Sequence, residues 1–165
     1  EARWKRRPLY EEKYLIVTAE SLPVPRKTED IAHLASKYPF VTYTQSSLDQ
    51  AISYEFLRTV NIRPQTQIQV GSSYCLVGVV NQVSGWSILP PTNLWCGGAF
   101  AETVNWTPIP GSIPAVRRQW VLGREEHAET IDWLAEKIQE FFTQRTLKML
   151  DAVSPKLRRY AYKLI

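Results

Sequence analysis

Two stretches of this chain repeat one pattern: a short apolar run, a cluster of small polar residues, then apolar residues spaced three and four apart. In the first, Phe40, Val41 and Tyr43 predict a strand after Pro39. Thr44, Gln45, Ser46 and Ser47 follow, and Leu48, Ile52, Phe56 and Val60 predict a helix with one buried face. Ser47 with Gln50 three residues later has the spacing of a capping box. In the second, residues 67–70 predict a strand, Gly71 a tight turn, Ser72 or Ser73 a cap, and Leu76, Val77, Val80 and Val83 a helical face. Gly85 stands where a helix ends in the left-handed conformation, residues 87–89 resume an extended pattern, and Pro90 and Pro91 forbid further ladder donation.

The remaining pattern is less regular. Residues 14–17 form a continuous apolar run, which predicts a strand buried on both faces and implies a parallel sheet. Pro23 and Pro25 mark residues 21–28 as a crossing loop, and residues 29–36 support at most two helical turns. Residues 61–66, with Pro64, read as a loop, and residues 94–114, rich in Pro and Gly, predict no helix. Residues 116–122 alternate enough for an edge or half-exposed strand. The longest helix comes last: Ile131, Leu134, Ile138, Phe141 and Phe142 keep helical spacing, which runs on loosely through Leu147 and Leu150 to Ser154 and Pro155.

Composition narrows the function classes. With 165 residues, 44% hydrophobic and 22% charged, the chain is globular and long enough for one core or two small lobes. The net charge of +4 is modest for a nucleic-acid binder, and the basic residues gather at the two ends: Arg3, Lys5, Arg6 and Arg7, then Lys156, Arg158, Arg159 and Lys163. They read as solvated surface. There is no CxxC pair and no apolar run of the roughly 18 residues a membrane span requires; no signal-peptide pattern occurs in these residues, which begin at Glu1 and not at an initiator methionine. A disulfide between Cys75 and Cys96 is not expected. Catalytic patterns are lacking too. Cys96 beside Gly97 and Gly98 has only His33 and His127 as possible partners, and the consecutive Glu125, Glu126 and His127 cannot all aim at one metal from a helix. No GxSxG, P-loop or GxGxxG occurs, so no catalytic residue, metal or cofactor is assigned.

Both helix starts combine unpaired N–H groups, a positive dipole end and hydroxyls, which suits an anion or carboxylate. Capping alone explains either serine pair taken singly. Two such starts in one α/β domain favour a ligand, because open α/β sheets bind ligands at the carboxyl ends of their strands.

In order, PLYEEKYLIV, HLASKYPFVTYTQSS, VGSSYCLVGVVNQVSGWSILPP, RRQWVLGREE and the long last helix resemble the effector-binding domain of LysR-type transcriptional regulators, over about residues 7–145. The resemblance implies an α/β type II periplasmic-binding-protein-like fold, mainly its second lobe with part of the first, the N-terminal DNA-binding domain being absent. It implies a crossover strand over residues 1–19, the second lobe over 20–110, a return strand and first-lobe helix over 111–150, and a C-terminal tail over 151–165. On that reading the chain is a fragment whose first-lobe helix exposes an apolar face and invites self-association.

The same resemblance implies a non-enzymatic, cytoplasmic ligand-sensing module. It would bind a small organic acid between two lobes through Thr44, Gln45, Ser46, Ser47, Ser72 and Ser73, and change the geometry of a homo-oligomer, dimeric or, at full length, tetrameric. DNA contact would come only through the missing domain, and no membrane is involved. Trp86 departs from the small aliphatic residue usual after the glycine, and either stacks on a flat effector or packs in the core. Two alternatives stay open: a solute-binding protein of a transporter, or an enzyme on the same two-lobe scaffold.

Overall fold

The computed structural model describes residues 3–113 and 115–164. The chain divides into two compact units: Lys13–Val116, and a second made of the segments up to Glu12 and from Arg117 onward.

The Lys13–Val116 unit is built on five strands. In chain order it contains β2 (Leu15–Ala19), α1 (Thr28–Lys37), β3 (Phe40–Tyr43), α2 (Leu48–Thr59), β4 (Gln67–Val70), α3 (Ser73–Gln82), β5 (Trp86–Leu89), α4 (Pro91–Trp95) and β6 (Val104–Pro108). The sheet order is β4-β3-β5-β2-β6. β3 runs parallel to β4 and β5, whereas β2 pairs antiparallel with both β5 and β6. The expectation of a parallel sheet from residues 14–17 is thereby corrected. All of β2 is buried, and burial on both faces follows from cover on both sides of the sheet, whatever the strand direction.

One core layer joins Ile16, Trp86 and Ile88 of the sheet to Ile31, Leu34 and Ala35 of α1 and Phe56 and Leu57 of α2. Leu15, Val17 and Leu89, equally buried, alternate to the other face. There α3 lies against β2 and β3 and buries Leu76, Val77 and Val80. Each such side chain contributes about 1.5–3 kcal/mol by leaving water.

Several local expectations change, α1 among them: it spans ten residues, nearly three turns rather than at most two. In α2 the buried residues are Gln50, Ser53, Phe56 and Leu57, while Leu48 is exposed, so the inward face is turned from the one drawn through Leu48 and Ile52. The polar Gln50 and Ser53 hid that face; Ser53 is buried because its hydroxyl donates to the carbonyls of Asp49 at 2.7 Å and Ile88 at 3.1 Å. After α3 the left-handed residue is Ser84, at φ 47°, not Gly85. Gly85 is required by close approach instead: a Cβ there would lie 2.8 Å from the Pro39 carbonyl oxygen and 2.9 Å from Val83 Cγ2. Residues 94–114 are not structureless. α4 starts with Pro91 at its first turn, a 3-10 helix covers Gly98–Thr103, and β6 forms by pairing all five of its residues with β2.

The second unit contains β1 (Trp4–Lys13), β7 (Val116–Arg124), α5 (Ala128–Phe141), a π-helical turn (Phe142–Thr146), α6 (Leu147–Val153) and β8 (Ala161–Lys163). Its three-stranded sheet has the order β7-β1-β8, and β8 pairs antiparallel with β1. Residues 161–163 thus close a sheet. α5 buries Ile131, Ala135 and Gln139, leaving Leu134 and Phe141 outside. Gln139 donates to the carbonyls of Pro8 and Leu164, each at 2.9 Å, and Phe142 stacks on Tyr10 at 4.3 Å. Among the described residues no helix is long and apolar enough to cross a membrane.

Candidate functional site

The register Tyr43↔Val70 sets the carboxyl ends of β3 and β4 level with each other. Each strand then turns into a helix within a few residues, α2 after Thr44 to Ser47 and α3 after Gly71 and Ser72, so both starts lie at one end of the sheet. Ser47 caps α2 by accepting from the Asp49 N–H at 3.2 Å, and Ser72 caps α3 by accepting from the Cys75 N–H at 3.2 Å. Gln50 is buried, so Ser47 caps through Asp49 and the capping-box reading does not describe this turn. Gly71 has no left-handed φ, and a Cβ there would meet nothing within 4 Å. The turn does not demand glycine; what glycine leaves is open space beside the backbone of the α3 start.

Between these starts runs a chain of polar contacts that the sequence pattern gave no reason to expect. Ser73 Oγ lies 2.9 Å from the Tyr43 hydroxyl. Asn93 Nδ2 donates to that hydroxyl at 2.8 Å and to Asp49 Oδ2 at 2.7 Å, and the Tyr14 hydroxyl donates to Asp49 Oδ1. The chain links β3, α4 and the first turns of both helices, and Asn93 and Tyr43 are buried within it. Asp49 places a carboxylate in the first turn of α2, where the dipole favours it; the first turn of α3 carries no acid. The two starts therefore differ electrostatically, and only α3 keeps its positive end uncompensated by a residue of its own first turn.

Of the residues singled out from sequence, Thr44, Gln45, Ser46 and Ser72 are exposed, and Ser47 and Ser73 are half-buried. Trp86 is elsewhere: its side chain is wholly buried, its ring sits 4.6 Å from that of Phe40, and its indole N–H donates to the Tyr38 carbonyl at 3.3 Å. Of its two readings, core packing is the one it adopts. The exposed aromatic at the α3 start is Tyr74, whose ring lies 5.1 Å from that of Phe100. Tyr14, Tyr43, Asp49 and Asn93 were missed. The available signals were slight: an acid two residues after the Ser47 cap, and an asparagine just after Pro90 and Pro91. Cys75 and Cys96 are both exposed thiols.

The model of the LysR substrate binding domain matches residues 1–142. The chain belongs to that family. No curated protein matches. Solved structures that share its fold include an OxyR cysteine mutant from Corynebacterium glutamicum, at TM-score 0.71 and 18% identity, covering 90% of this chain and 47% of that one. The regulatory domain of MetR, a LysR family regulator from N. meningitidis, aligns at TM-score 0.65 and 14% identity, covering 98% and 70%. The effector binding domain of QuiR in complex with shikimate aligns at 0.63 and 18%, covering 83% and 66%. This LysR-type chain thus spans between 47% and 70% of the length of those structures. Its type II periplasmic-binding-protein-like α/β fold and its role as a ligand-sensing regulatory domain are those of the family.

Proposed function

We propose that this domain senses a small organic acid at the carboxyl ends of β3 and β4. The acid group would be held at the α3 start by Ser72, Ser73 and the backbone N–H groups open beside Gly71, and the rest of the effector by Thr44, Gln45, Ser46 and Ser47. The observation that carries the reading is the chain of hydrogen bonds from Ser73 through the buried Tyr43 and Asn93 to Asp49, which ties the two helix starts together. A fixed pair of starts reads ligand shape without reorganising on binding. Asp49 supports the assignment of the anionic group to α3, since like charge at the α2 start would oppose it there.

The effector's differential affinity for one arrangement of the regulator would shift the geometry of a homo-oligomer, with DNA contacted by another domain and no chemistry performed on the ligand. The cytoplasm is where such a regulator works. Thermal-shift screening against mono- and dicarboxylates tests this: a true ligand at 100 times its Kd adds about 2.7 kcal/mol. The shift is expected to vanish in Ser72→Ala/Ser73→Ala and to shrink in Thr44→Val and Ser46→Ala. A hit retained in all of them moves the site elsewhere.

A further inference from the structure

The polar chain between the helix starts does not end at Asp49. The Tyr14 hydroxyl donates to Asp49 Oδ1, and Tyr14 is the second residue of the Lys13–Val116 unit. Its main-chain N–H donates at 2.9 Å to the carbonyl of Ala115, the second-last residue of that unit. One residue therefore joins Asp49, in the first turn of α2, to the point where the two ends of the unit are bonded to each other. Tyr14, 1% exposed, and Ala115, 7% exposed, are both buried there. A close-packed interior transmits strain, so a displacement of Asp49 reaches the Tyr14 backbone through its ring.

Donors and acceptors give this chain of bonds a direction. A hydroxyl has one proton to give, a side-chain amide nitrogen only donates, and a carboxylate only accepts. Asn93 Nδ2 gives one proton to Tyr43 at 2.8 Å and one to Asp49 at 2.7 Å, and Tyr14 gives its own to Asp49. The Tyr43–Ser73 contact, at 2.9 Å, can be made in either sense. An acid group that takes the Ser73 proton leaves Ser73 as an acceptor, so the retained contact requires Tyr43 to donate. The run from Asn93 through Tyr43 and Ser73 to the acid then points one way, and bonds in such a run polarise and strengthen one another.

We propose that Tyr14 relays occupancy of the effector site to the two ends of this unit. An acid at Ser73 fixes the sense of the Tyr43 bond, firms the hold of Asn93 on Asp49 and of Asp49 on Tyr14, and so stiffens the bond between Tyr14 and Ala115. That bond lies beside residues 12–13 and 116–117, where the chain passes between its two units. The relay rests on the effector reading for its input at Ser73. Tyr14 itself touches no ligand and is a positioning residue, acting through Asp49.

Amide hydrogen exchange of the 165-residue chain, read by NMR at residue 14, tests this without a ligand. The reference is the Phe40 amide, which donates to the Thr66 carbonyl at 2.9 Å and lies outside the chain of contacts. Ser73→Ala and, separately, Tyr43→Phe are expected to speed exchange at residue 14 at least about threefold relative to Phe40. Tyr54→Phe also removes a hydroxyl from this unit, one on the same helix as Asp49 that donates to Gln67, and is expected to leave residue 14 unmoved. In Tyr14→Phe the link to Asp49 is cut, and Ser73→Ala is expected to add nothing there, the non-additivity that marks coupled residues.

A residue-14 amide indifferent to both Ser73→Ala and Tyr43→Phe would overturn the relay. So would an equal effect of Ser73→Ala with and without the Tyr14 hydroxyl, or a change that the Phe40 amide shares, which marks loss of stability in the whole unit. Because no ligand is added, such a failure leaves the effector site standing. Failure of that site shows instead in the binding of acids to the wild type and to Ser72→Ala/Ser73→Ala.

Discussion

Glu12→Gln isolates the ion pair at the place where the chain passes between its two units. The passages fall at residues 12–13 and 116–117, and Glu12 and Arg117 face each other there at 2.6 Å. The Glu12 side chain is 0% exposed and that of Arg117 12% exposed, so water screens neither charge. Removing one partner of a buried ion pair of this kind costs about 3–5 kcal/mol. Glutamine keeps the shape and one acceptor oxygen, which places the expected loss near about 3 kcal/mol. If uncompensated charge is the cause, Glu12→Leu/Arg117→Met should recover most of the loss, because an apolar pair of similar volume carries no desolvation penalty. Urea unfolding followed by circular dichroism measures both. A loss below about 1 kcal/mol for Glu12→Gln, or a double variant no more stable than the single one, would refute the reasoning. Asp132→Asn is the control: Asp132 contacts Lys5 at 2.6 Å and Arg7 at 2.7 Å, but these groups are about a third exposed and water weakens the contacts, so its loss should be much smaller.

Three further outcomes follow from the same geometry. Asn93→Leu removes both donors that hold Tyr43 and Asp49, and should cost about 2–3 kcal/mol in urea unfolding; a neutral variant would show that the polar chain does not fix the helix starts. Gly85→Ala forces a methyl against the Pro39 carbonyl and should destabilise by about 1–3 kcal/mol, whereas an unchanged midpoint would contradict the close approach. Tyr162 donates to Glu11, and that bond first, then burial and the Glu11 charge, raises its pKa above the usual phenol value. A raised folded pKa contributes stability that is present below the unfolded pKa of about 10 and is lost as pH rises through the folded value. Tyr162→Phe should therefore flatten the alkaline decline of the melting temperature; an identical alkaline limb in the variant removes Tyr162 from the account.

The parts of the fold legible in the sequence are those where local chemistry and tertiary burial agree. β3, β4 and the Ser72-capped start of α3 appear where apolar runs and serine caps place them. What failed to show did so for physical reasons. The direction of β2 depends on its partners, and a strand covered on both sides has the same composition in either orientation. β6 carries Asn105, Trp106 and Thr107 in a half-exposed strand, so no two-residue alternation marks it, and pairing with β2 decides its conformation. The α2 face was misplaced because Ser53 satisfies its hydroxyl on backbone carbonyls and so reaches the core as a polar residue. At the candidate site the caps were legible as short-range features. Tyr14, Tyr43 and Asn93 were not, since Tyr14 and Asn93 reach Asp49, and Tyr43 reaches Asn93, from segments distant in the sequence.

The central claim is that an acid is gripped at two helix starts held in fixed relation. Amide chemical-shift mapping by NMR, with the organic acid that most raises the melting temperature, tests it most directly. The account predicts the largest shifts at residues 46–48 and 71–75, saturating together with one Kd and abolished by Ser72→Ala/Ser73→Ala. Shifts that saturate at other residues while these amides stay unmoved would contradict it.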